Sequence, residues 1–231
     1  MAEARWKLND VSVANGAFFT RDSGYIYFNL TNTSGATLYG DSSPPPQEGA
    51  YSYSPWKNAD ADTINIPFAN IVNYVDYMIY MPTGTNFTQP IVVTGSVNSE
   101  YEDTIYNWVG LNTNGSMEIA LYAPNYDYYE LQSVTAASAF PRNEWFRMRV
   151  NYTNAGNIVY AAIFRGASLL DTTPNSVIGA VGYSVYTVNS CFHSTLVAGA
   201  AYYIDDVILN DTTFPVRTLS SLVAQGPSIK R

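Results

Sequence analysis

The chain has 231 residues, a formal charge of -8 and 13% charged residues, against about 25% in an average soluble domain. This acidic balance lacks the basic patch that phosphate neutralisation requires, which argues against nucleic acid as a partner and against attachment to an anionic membrane. A single cysteine, Cys191, excludes an internal disulfide framework, and with one histidine no Cys/His zinc site can be assembled.

The first residues, Met1 to Trp6, lack the apolar run of a signal peptide, and no stretch reads as a membrane span. The expectation is a chain made in a cytoplasm, or one supplied without its signal. The Asn-x-Ser/Thr triplets at Asn29, Asn32, Asn86, Asn114, Asn151 and Asn210 are then accidental. Trp6 to Val11 and Tyr25 to Leu30 read as short strands between Asn-Gly and Asp-Ser-Gly turns. Ser42-Ser43-Pro44-Pro45-Pro46 reads as an extended connector and the best internal boundary. Tyr74 to Met81 alternates as a strand and Ile91 to Val97 begins the next, with Asn98-Ser99 suggesting a loop. Tyr106 to Leu111 and Met117 to Tyr122 flank an Asn112-Thr113-Asn114-Gly115 hairpin turn. A tyrosine-crowded loop, Pro124 to Tyr129, precedes a strand over Glu130 to Thr135.

Trp145 to Phe164 is the clearest local structure. Phe146, Met148, Val150 and Tyr152 alternate with Arg147, Arg149 and Asn151, as in a strand packed on one side only. Thr153 to Asn157 supplies the turn, and Ile158 to Phe164 is apolar on both faces, as suits a strand deeper in a sheet. Ser176 to Val188 and Ser190 to Val197 read as further strands, and Tyr202 to Leu209 as the last strong one. A basic tail, Val216 to Arg231, follows. Many short strands with frequent turns and no fixed repeat predict a sandwich or barrel.

The strand opening at Trp145, the Gly-Asn turn, the apolar strand to Phe164, the Arg165-Gly166-Ala167-Ser168 turn and the Tyr203-Ile204-Asp205-Asp206-Val207 strand together resemble one family. It is the concanavalin A-like lectin/glucanase superfamily, in its laminin-G-like branch. The resemblance covers about Asp41 to Asp211 and implies an all-β fold, a two-sheet antiparallel jelly-roll sandwich. Residues 1–40 then form N-terminal strands or an arm, 41–212 the jelly-roll domain and 213–231 a docking tail. A Cys-poor, Tyr/Asn/Thr-rich chain of this kind is also similar to virion proteins of tailed phages.

Enzymes of this superfamily use paired acids on one strand face. Glu100-Tyr101-Glu102-Asp103 is the nearest match, but the third acid is missing and a solvated acidic loop is the simpler reading. Alternation sends Asp205 and Asp206 to opposite faces, so they cannot act as a pair, and a structural hydrogen-bonding role is favoured. Cys191 and His193 share a strand face without a third orienting group, which favours buried structural residues over a dyad. Trp56 and Trp145 read as core or rim anchors. The candidate binding residues are Tyr101, Tyr106, Trp108, Tyr126, Asp127, Tyr128 and Tyr129, which fit strand packing, protein contact or stacking on sugars.

No catalytic residue, metal ligand or cofactor is assigned, although calcium on carboxylates and carbonyls stays open. The expectation is a non-enzymatic virion structural protein, a capsid decoration or tail component. Its partners would be other virion proteins docked through the terminal arms, further copies of itself, and host surface glycan, with no nucleic acid and no membrane insertion. The alternatives are a glycan-active hydrolase or lyase of the same fold and a secreted carbohydrate-binding module.

Overall fold

The computed structural model describes residues 3–7, 9–14, 17, 29–32, 38–47, 49–53, 62–65, 74–85, 91–100, 103–123, 128–152, 158–173, 185–189 and 202–210. Among these residues there are fifteen strands and no helix. They are β1 (Glu3–Trp6), β2 (Ser12–Val13), β3 (Asn29–Asn32), β4 (Leu38–Tyr39), β5 (Asp62–Asn65), β6 (Tyr74–Tyr80), β7 (Ile91–Glu100) and β8 (Asp103–Leu111). β9 (Met117–Ala123), β10 (Tyr128–Val134), β11 (Trp145–Tyr152), β12 (Ile158–Arg165), β13 (Ser168–Thr172), β14 (Val185–Asn189) and β15 (Tyr203–Asn210) complete the set. A six-stranded sheet runs β1-β15-β6-β11-β12-β13 and a five-stranded sheet β10-β9-β8-β7-β14, with two-stranded ribbons β2-β4 and β3-β5. The expected all-β, two-sheet antiparallel jelly-roll sandwich is what forms.

Period-two alternation builds the core between the sheets. Val75, Tyr77 and Ile79 on β6 lie opposite Val150, Met148 and Phe146 on β11, and all six are fully buried. Ala161 and Ile163 continue this face on β12. The five-stranded sheet contributes Val109, Leu111, Met117 and Ile119, also fully buried. Each large apolar side chain sealed this way contributes about 1.5–3 kcal/mol. Phe140 stacks on Phe146 at a centroid distance of 5.4 Å and closes one end.

The strand boundaries shift in two places. β1 sits at Glu3–Trp6, ahead of the expected Trp6 to Val11 strand, because its pairing with β15 fixes the register. β7 runs through Asn98 and Ser99 to Glu100, since cross-strand pairing with Ile105, Thr104 and Asp103 outweighs the loop preference of Asn and Ser. The proline-rich stretch is a strap fixed to the six-stranded sheet. Pro45 O accepts the Trp145 indole N–H at 2.8 Å, Gln47 N–H donates to Asp205 Oδ2 at 2.7 Å, and Tyr53 pairs with Ile204 at 3.0 and 2.8 Å. Cys191, His193 and Trp56, the turn 153–157 and the tail 213–231 lie outside the described residues.

The face of the six-stranded sheet turned away from the core is closed by charge. A single polar face predicts β11 packed on one side only, yet Arg147 is 4% exposed. It donates to Asp76 Oδ1, and Arg149 Nε donates to Asp76 Oδ2 at 2.6 Å. Strict alternation would separate Asp205 from Asp206. Instead β15 bulges, with Asp205 opposite Met78 and Ile208 opposite Asp76, and Asp206 takes φ 47°. The extra residue returns both carboxylates to one side. Arg5 Nε then meets Asp206 Oδ1 at 2.8 Å, Arg147 approaches Asp206 Oδ2 at 4.0 Å, and Asp205 Oδ1 accepts the Asp206 N–H at 2.7 Å.

Three variants test the fold. Asp76→Ala leaves the Arg147 guanidinium buried without its nearest carboxylate and should lower unfolding stability by about 3–5 kcal/mol, read by urea denaturation. Asp76→Leu combined with Arg147→Met should lose less than that single change, and a larger loss would show that the pair is not one unit. Gly115 holds φ 86°, and a Cβ there would lie 2.8 Å from Ser138 Cα. Gly115→Ala should therefore lose about 1–3 kcal/mol in the same assay, whereas an unshifted midpoint would refute the close approach.

Candidate functional site

Four of the seven candidate binding residues lie on described strands of the five-stranded sheet. Tyr128 and Tyr129 open β10 and do not belong to a loop, because both pair with β9. Tyr106 lies opposite Tyr122, and Tyr122 opposite Tyr129, so the three tyrosines occupy one rung across β8, β9 and β10. On the rung two positions along β8, Trp108 lies between Ala120 and Gly95. In the ladder register, Tyr106, Trp108, Tyr122 and Tyr129 share one phase, the opposite of that of Val109, Leu111, Met117 and Ile119. Tyr128, opposite Ala123, is in the other phase. Tyr101, Tyr126 and Asp127 lie outside the described residues.

Tyr122 is the member that sequence reading missed. Its signal was present, since Glu118, Ala120 and Tyr122 alternate in phase, but only pairing with β8 reveals that this phase is the aromatic one. Glu118 shares the face and is 5% exposed. Its Oε2 accepts the Asn112 side-chain N–H at 2.8 Å, and the same amide donates to Ser116 Oγ at 3.1 Å. The carboxylate is thereby tied to the β8–β9 turn. Glu100 and Asp103 pair across the β7–β8 hairpin, in the phase opposite to the aromatic rung. Among the described residues no group of three or more His, Cys, Asp or Glu side chains could hold a metal ion.

A second aromatic rung lies on the six-stranded sheet, on the side closed by charge. Trp145 and Tyr203 each lie opposite Tyr80, one from β11 and one from β15. The Tyr80 ring is 5.5 Å from Trp145 and 6.2 Å from Tyr203, and all three side chains are half-buried. Trp145, read from sequence as a core or rim anchor, is partly buried, with its indole N–H on Pro45 O. Beneath the strap, the Tyr53 hydroxyl donates to Asp10 O, and burial, then Asp10 and Tyr51, hold its pKa well above the ordinary tyrosine range. Burial alone lowers that of Arg142, whose guanidinium donates to Pro82 O and Thr113 O and lies 5.1 Å over the Phe140 ring. Both groups fasten turns.

No protein-family model matches the chain, and no curated protein matches its sequence. Solved structures do resemble it. The chain is similar to domain 4 of an extracellular arabinanase from Geobacillus stearothermophilus, solved in complex with arabinotriose, with TM-score 0.52 and 11% identity over 96% of this chain and 97% of that one. It is similar to the botulinum neurotoxin serotype D binding domain, with TM-score 0.51 and 12% identity over 94% of this chain and 50% of that one. Trypanosoma rangeli sialidase aligns at TM-score 0.51 and 8% identity, over 95% of this chain and 31% of the enzyme. The chain spans about half the length of the neurotoxin domain and nearly all of the arabinanase domain. At these identities the likeness is one of fold: an antiparallel β-sandwich shared with toxin and glycan-enzyme domains.

Proposed function

We propose that the chain is a non-catalytic, lectin-like module that binds glycan through the aromatic face of its five-stranded sheet. The observation that carries this reading is the rung Tyr106, Tyr122 and Tyr129 with Trp108 beside it. Aromatic rings accept the C–H faces of sugars at small ordering cost, because each has only two side-chain torsions to fix. The arabinanase domain solved with arabinotriose supports the reading as a fold that carries a sugar ligand.

The glycan-enzyme alternative requires two carboxylates about 5–5.5 Å apart for retention or about 6.5–9.5 Å for inversion. Among the described residues, the carboxylate on the aromatic face is Glu118, tied to Asn112. That favours binding over hydrolysis.

Residence on a phage particle, with docking through the ends of the chain and self-association, belongs to the same proposal. It is supported by composition and style, namely few charges, one cysteine and many tyrosines. Mass spectrometry of purified virions tests it, and absence from particles ends that part.

Binding is tested by screening the purified chain on a glycan array and then by calorimetry on the best hit. Trp108→Ala and Tyr129→Ala should each weaken affinity at least tenfold, equivalent to about 1.4 kcal/mol. Unchanged affinity in both variants would refute the aromatic face as the site. Reducing-end release from a polysaccharide, abolished by Glu118→Gln, would overturn the non-catalytic reading.

A further inference from the structure

We infer that the six-stranded sheet carries a second sugar-stacking site, built on Trp145, Tyr80 and Tyr203 and walled by Pro45; it rests on the glycan reading above and goes beyond it. The core does not require this rung. On the opposite face, the adjacent positions Phe146, Ile79 and Ile204 are fully buried and supply the apolar packing at this height of the sandwich. The three aromatic residues are not fully buried, so part of their surface stays in contact with water at the end of the sheet.

The rung is also fixed before any ligand arrives. The Trp145 indole N–H is committed to Pro45 O at 2.8 Å, which sets the ring against the strap. Tyr80 is gripped between Trp145 and Tyr203, with interplanar angles of 59° and 73°. One position further along each strand on the same face, Asp205, Met78 and Arg147 are buried under the strap and the ion network, so the floor cannot sink. Such pre-organisation lowers the ordering cost of binding.

The chemistry around the rung selects the class of ligand. Pro45, whose carbonyl holds the Trp145 indole, is itself exposed. An aromatic floor suits an uncharged ring that presents C–H groups on one face and hydroxyls at its edge. A neutral pyranose or furanose has that form. The net charge of -8 disfavours a polyanion in its place. Two sites on separate sheets would let one chain engage two points of a polysaccharide, so that its overall affinity exceeds that of either site.

The test follows indole N–H resonances by NMR in 15N-labelled full chain during titration with arabinotriose, maltotriose and cellotriose. The four tryptophans give four indole signals, and Trp145→Phe and Trp108→Ala identify the two that matter. The expected result is that the Trp145 signal shifts saturably with at least one trisaccharide and does so unchanged in Trp108→Ala. Tyr203→Ala should weaken that response at least fivefold while leaving the Trp108 response intact. Tyr203→Leu, which keeps an apolar side chain of substantial volume, should do the same if the alanine variant loses its fold. A Trp145 signal that stays still while Trp108 responds overturns this inference and leaves the glycan reading standing. A Trp145 response that vanishes in Trp108→Ala overturns it as a separate site. Neither signal moving with any of the three sugars overturns both.

Discussion

One buried carboxylate organises the six-stranded sheet. Asp76 sits on the central strand β6 with no exposed side-chain surface, and accepts from Arg147 and Arg149 on the neighbouring strand. Two guanidinium groups on one carboxylate leave excess positive charge, and Asp206 on the other neighbour of β6 answers it, with Arg5 of the edge strand beyond. Four adjacent strands are thus joined across the face that does not meet the second sheet. A buried ion pair adds little net stability against an apolar substitute, but a broken one is severely destabilising. The arrangement therefore acts as a strong constraint on register: a slip of one residue on β6, β11 or β15 would strand a charge.

That constraint explains where the strap lies. The Asp206 bulge that serves the network also orients Asp205, whose second oxygen is left to receive the Gln47 amide. The strap in turn holds the Trp145 indole. Charge in the middle of the face thus fixes aromatic geometry at its end. On the other sheet the β8–β9 turn is held differently: Asn112, Ser116 and Glu118 share hydrogen bonds and Gly115 admits the backbone of Ser138.

Local periodicity made much of the fold legible. The phases of β6 and β11 could be read directly, and so could the hairpin turns after Leu111 and Arg165, because each depends on neighbours a few residues apart. The misread features depend on partners far along the chain. Nothing near Arg147 announces Asp76, 71 residues away. Nothing in Ile204-Asp205-Asp206-Val207 announces a bulge, which is fixed by the register against β6 and the ion pair to Arg5. Of the site, Tyr106, Trp108 and Tyr129 were legible as aromatic residues, but their common face and the addition of Tyr122 required strand order. The rung at Trp145 was hidden for the same reason, since its members come from β6, β11 and β15.

The pairing of β1 with β15 sets a schedule for assembly. Arg5 and Asp206 are 201 residues apart, so closing this contact at random would require about 5 kcal/mol of loop entropy. β6 receives neither of its neighbours until β11 and, much later, β15 have been made. During synthesis at about 5–20 residues per second, the central strand and its unmatched carboxylate wait several seconds with both edges open. The five-stranded sheet has no such delay along β7 to β10, where each strand pairs with the next. The β7–β10 meander can therefore form early, and the charged sheet closes last, when β15 reaches both β6 and the long-made β1.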